Sequence, residues 1–81
     1  MSPRLRRLHG RQLLQALQRT GFEVIGIRGS HAKLRRISEA GEHQTLTIPL
    51  HDELATGTLV AIYRQVRRYL PEAEARPIFY R

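Results

Sequence analysis

Phe22-Glu23-Val24-Ile25-Gly26-Ile27-Arg28-Gly29-Ser30-His31-Ala32-Lys33-Leu34-Arg35-Arg36-Ile37 reads as two strands that meet at a glycine. The first half is rich in β-branched residues, Val24, Ile25 and Ile27, which favour a pleated, half-buried surface. Alternation puts Phe22 and Val24 on one face and Ile25 and Ile27 on the other. Two apolar faces exceed what a two-layer sheet needs, so either Gly26 resets the register or the second face meets a partner. In the second half, His31 to Ile37, Ala32 and Leu34 point inward while His31, Lys33 and Arg35 point outward. An imidazole, an ammonium and a guanidinium then follow one another at about 7 Å, close to the spacing of phosphates along a single nucleic-acid strand.

Between the strands, Gly29-Ser30-His31 is the best candidate for chemistry. The glycine permits a tight reversal, and the serine offers a hydroxyl and an unencumbered N–H. Histidine is the residue type whose ordinary ionisation lies near neutrality, suited to giving or taking a proton. The triplet alone is non-specific, because small residues crowd many hairpins.

Outward from this hairpin the chain stays regular. Leu13, Leu14 and Leu17 share one helical face, which predicts a helix over Arg11–Thr20 closed by Gly21 as its left-handed C′ residue. Ser38 to Glu42 reads as a loop. Gln44–Leu50 is the third strand, with Leu46, Ile48 and Leu50 inward, Thr45 and Thr47 outward, and Pro49 marking an edge or an end. Leu59, Ile62, Tyr63, Val66 and Leu70 give the strongest periodic stripe, a helix over Thr58–Tyr69 capped by Thr56 or Thr58 and closed by Pro71.

The resulting order is α-β-β-β-α: an α+β two-layer fold in which two helices cover one face of a three-stranded antiparallel sheet. The 81 residues make a single domain, 1–81, with a core over about 10–70, a basic arm over 1–9 and a tail over 71–81. The cluster Ile78-Phe79-Tyr80 is too apolar for simple disorder, so the tail either packs back or binds a partner.

Composition narrows the class further. Without cysteine there is neither a disulfide framework nor a thiolate zinc site, and a reducing cytoplasm is the default. The basic start lacks a following apolar segment of a signal peptide, and no apolar run spans a membrane, so a soluble protein is expected. Net charge is +7, with five arginines and no acid in residues 1–19, and thirteen of the fourteen basic residues are arginine. Such an excess attracts polyanions, and arginine forks onto phosphate better than lysine does. Solubility and base composition of the genome are the plainer explanation of the same charge. The four histidines, His9, His31, His43 and His51, show no metal-ligand spacing, and no cofactor or metal is expected.

Four short motifs, Gly21-Phe22, Gly29-Ser30-His31, Ile48-Pro49-Leu50-His51 and Gly57-Thr58-Leu59, occur in this order at these distances. Together they resemble the HicA family of toxins over Leu13 to Tyr69, and the ending Arg76 to Tyr80 is similar to tails of some members. The resemblance implies a double-stranded-RNA-binding-domain-like fold, a ribonuclease that cleaves mRNA, and a HicB-type antitoxin as partner. It assigns catalysis to His31. Members often carry a histidine or an aromatic residue after that position; here it is Ala32, which weakens any base-stacking role there.

RNA supplies its own nucleophile, the 2′-OH. Cleavage therefore needs a proton acceptor, a proton donor and positive charge near the phosphorane. His31 is expected as base or acid, with Lys33 or Arg35 stabilising charge and Ser30 bonding a phosphate oxygen. Gly29, Ser30, Lys33 and Arg35 form the expected RNA-contact set. His51 has two readings: a second acid–base group approaching His31, or a backbone-bonded residue of the connection to the last helix. A non-catalytic RNA-binding module and a protein-interaction domain using Ile25 and Ile27 are the competing functions.

Overall fold

Alternating burial along the second strand shows how the sheet is placed. In the computed structural model, which describes residues 4–81, Ala32 and Leu34 are fully buried while His31 and Lys33 are exposed. The helix α1 (Gly10–Gln18) is followed by β1 (Glu23–Arg28), β2 (His31–Ile37) and β3 (His43–Pro49), then α2 (Thr56–Val66) and α3 (Glu72–Phe79). The strands form one antiparallel sheet in the order β1-β2-β3. The α-β-β-β-α order is as expected, and α3 is added to it.

Both central helices cover one face of the sheet, lying closest to β3. Leu13 and Leu17 of α1 and Leu59, Ile62 and Val66 of α2 meet Leu34, Leu46 and Ile48 in a single core. Among the described residues no helix lies over the other face of the sheet. Burial in one direction and exposure in the other is the two-residue period of a half-covered strand.

β1 departs from the simple alternation. Val24 pairs with Leu34 and Gly26 pairs with Lys33, so Ile25 is the extra residue of a β-bulge. Gly26 thus marks a reset register, the first of the two expected possibilities. Beyond the bulge Ile27 pairs with Ala32 and shares its helix-side face, not the opposite face with Ile25 as unbroken alternation required. Because β1 is the strand farthest from the helices, Ile27 remains 60% exposed there.

Arg36 ties the end of the sheet to both helices. It has the same parity as Ala32 and Leu34, and its half-buried guanidinium donates to the carbonyls of Thr20 (3.1 Å) and Tyr69 (3.0 Å) and to Gln44 Oε1 (2.7 Å). Its Cζ also lies 5.1 Å from the Phe22 ring centre. Carbonyls just beyond the C-terminal ends of α1 and α2 therefore share one cation, which suits the negative pole of each helix.

At the C-terminus the tail of residues 71–81 packs back, the first of its two expected alternatives, and does so through α3, whose Ala75, Ile78 and Phe79 are buried. Phe79 and Tyr80 both pack edge-on against Tyr63, at 5.3 and 5.2 Å between ring centres. Of the expected basic arm, residues 1–3 lie outside the described residues, and residues 4–9 lie against the body. Leu5 bridges Tyr80, the backbones of Arg4 and Arg81 exchange two hydrogen bonds, and Leu8 is buried. Apolar residues among the arginines account for this, since Leu5 and Leu8 gain more from burial than from solvent. At α2 the expected threonine cap is absent: Ala55 occupies the N-cap, with no side-chain bond.

Candidate active site

The turn between β1 and β2 contains two residues, Gly29 and Ser30. Gly29 has φ +58° and Ser30 does not have positive φ, the pattern of a hairpin turn with glycine at its first central position. A side chain at Gly29 would be strained by that φ although nothing lies within 4 Å of it. Such a short turn pairs Arg28 directly with His31.

His31 opens β2 on the uncovered face. Across the sheet it pairs with Pro49, the last residue of β3, so the chain immediately beyond β3 passes close to the turn. The Leu50 N–H donates to the Ser30 carbonyl at 2.6 Å, which fixes that passage. His51 follows, and its ring lies edge-on to that of His31 with 6.2 Å between centres. Both imidazoles are exposed. His51 thus lies near His31 while its backbone carbonyl accepts the Gly10 N–H at 2.9 Å, a placement compatible with both expected readings.

Gly10 sets this arrangement from behind. It is buried at the start of α1, where a Cβ would collide with the Pro49 carbonyl oxygen and come within 2.7 Å of Leu50 Cα. Only a residue without a side chain lets the helix N-terminus approach the backbone that carries His51.

From His31 the uncovered face continues with the register positions of Lys33, opposite Thr47, and Arg35, opposite Thr45 and Glu23. Lys33 is exposed and Arg35 half-buried. A pocket of about 690 Å³ adjoins these positions at the β1 side of the sheet, lined by Gly26, Ile27, Arg28, His31, Lys33 and Thr47. The structure thus brings together Gly29, Ser30, His31, Lys33 and His51. Arg35 is four residues from His31, about 13 Å along the strand.

Arg28 is the residue that reading the sequence missed at this site. Its signal was the turn length: two residues between strands place positions 28 and 31 opposite one another. Ala32, the position after the expected catalytic histidine, is fully buried on the helix side, so its side chain does not reach the uncovered face. Among the described residues no three His, Cys, Asp or Glu side chains come together in a group that could hold a metal ion. Likewise, no helix among them is long and apolar enough to cross a membrane.

Two neighbouring imidazoles on a sheet that also carries Lys33 can serve a reaction in which one proton is taken up and another is delivered. Comparison with known proteins bears on which reaction. The family described as HicA toxin of bacterial toxin-antitoxin matches this chain over residues 10–67. No curated protein and no solved structure matches it significantly.

Proposed function

The chain belongs to the HicA toxin family, and on that premise we propose that it is a metal-independent endoribonuclease that cleaves mRNA and is neutralised by a HicB-type antitoxin. The observation that carries this reading is the pair of exposed imidazoles, His31 and His51, with 6.2 Å between ring centres at the end of the sheet where β2 begins.

In the proposed reaction one imidazole accepts the proton of the RNA 2′-OH as that oxygen attacks the adjacent phosphorus. The P–O5′ bond breaks, and the other imidazole protonates the departing O5′. Products are a 2′,3′-cyclic phosphate and a 5′-hydroxyl, and a second proton exchange with water restores the enzyme. Lys33, Arg35 and the hydroxyl of Ser30 contact phosphate oxygens, while Gly29 keeps the turn open to the strand. No step demands a metal, because the substrate brings its nucleophile and histidine handles both protons.

Cleavage of single-stranded RNA in the presence of EDTA tests this directly. The wild-type chain is expected to yield cyclic-phosphate ends, and His31→Ala to lose about 10²- to 10⁴-fold in rate. RNA binding without products would favour the non-catalytic module, and undiminished activity of His31→Ala would remove that residue from the mechanism.

A further inference from the structure

Arg28 is a cation placed for the reaction centre that neither motif nor charge count singles out. It ends β1 directly opposite His31, and residues opposed in an antiparallel pair project to the same face with Cβ atoms about 4.5–5.5 Å apart. Arg28 is exposed and lines the same pocket as His31 and Lys33. Among the described residues it makes no salt bridge and donates no side-chain hydrogen bond, so its fork is uncommitted.

The alternatives on the same face are worse placed. Arg35 is about 13 Å along the strand from His31, more than the reach from a proton-transfer group to the phosphorus it serves. Lys33 is about 7 Å along and presents a point charge, whereas the planar guanidinium can hold two oxygens of one phosphate at once. The two-residue turn also holds Arg28 and His31 in fixed relation, because each is anchored by the strand it terminates.

We infer that Arg28 is a catalytic residue of the ribonuclease reaction: its guanidinium grips the non-bridging oxygens of the scissile phosphate and stabilises the charge that grows there in the phosphorane. Lys33 and Arg35 then hold neighbouring phosphates, a binding role. This inference rests on the ribonuclease reading above and assigns the electrostatic partner of its two imidazoles.

Single-turnover cleavage at saturating RNA separates the two roles, with Arg28→Ala, Arg28→Lys and, as a control for lost charge, Arg64→Ala on the exposed side of α2. Arg28→Ala is expected to slow the bond-breaking step about 10²-fold, the size of losing one preorganised donor to a developing oxyanion. Arg28→Lys recovers part of that rate, and Arg64→Ala retains the wild-type rate at saturation. A saturated rate for Arg28→Ala within about threefold of wild type, with any loss confined to affinity, overturns the inference. If wild type cleaves and His31→Ala does not, that outcome removes Arg28 alone; if wild type does not cleave, the ribonuclease reading falls and this assignment with it. Circular dichroism of each variant checks that the exposed substitution leaves the fold intact.

Discussion

At the scale of single residues, Gly10 sets how closely α1 approaches the backbone that carries His51. Its missing side chain lets α1 approach Pro49 and Leu50, and its N–H holds the His51 carbonyl. Gly10→Ala must push the helix or the chain beyond β3 aside. Loss of cleavage with RNA binding largely retained is the expected result, read by comparing kcat with Kd. Arg36 has an analogous structural role. Arg36→Ala leaves the Thr20 and Tyr69 carbonyls without their cation and is expected to cost about 1.5–3 kcal/mol in chemical denaturation, the range for hydrogen bonds to a charged group. Arg36→Lys recovers little, because one ammonium does not span three acceptors arranged around a planar fork. The residues themselves were unequally legible. Parity alone put His31, Lys33 and Arg35 on the open face, and the same parity turns Arg36 inward, but nothing local names its acceptors, which lie 16 and 33 positions away. The spacing of His51 from the last strand allowed its approach to His31; the Leu50-to-Ser30 hydrogen bond, a long-range contact, is what secures it.

Among the elements, α3 was the least legible and β2 the most. β2 carries its burial pattern in strict alternation, and the structure reproduces its limits, His31–Ile37. α3 has only eight residues, contains Pro77, and follows a proline that closes the preceding helix pattern. Proline inside a helix removes a hydrogen-bond donor and argues against one, so only the apolar cluster Ile78-Phe79-Tyr80 signalled order there. Tertiary contact overrides that local signal: Phe79 is fully buried against Tyr63, and Arg6 Nη1 donates to the Pro77 carbonyl at 3.2 Å. Phe79→Ala is therefore expected to destabilise the protein by about 3–5 kcal/mol, measured as a shift in denaturant midpoint, although it lies outside the family match at 10–67. A cost below about 1 kcal/mol would mean that α3 is dispensable to the core. In β1 the alternation misled beyond Ile25, since a bulge inserts a residue without any change of composition and turns Ile27 to the helix side.

For the whole molecule, one sheet face is spent on the core and the other is left open to solvent. The α+β order followed from hydrophobic periods alone, whereas the convergence of the turn, the chain after β3 and the start of α1 depends on sheet register and helix approach. Of the net charge of +7, Arg28, Lys33 and Arg35 occupy adjoining register positions on the open side. Three phosphate contacts predict that RNA affinity falls with salt at a logarithmic slope of about −2 for a single strand, measurable by anisotropy with the His31→Ala variant. A flat dependence would place the RNA elsewhere.

In the proposed reaction His31 and His51 divide two proton transfers between them. An RNA whose scissile 5′-oxygen is replaced by sulfur separates the two roles, because a thiolate leaves without being protonated. Single-turnover cleavage of this substrate by His31→Ala and His51→Ala should restore a near wild-type rate to the variant that lacks the acid and leave the variant that lacks the base slow. Equal behaviour of the two variants on the sulfur substrate, or full activity of His51→Ala on ordinary RNA, would contradict it.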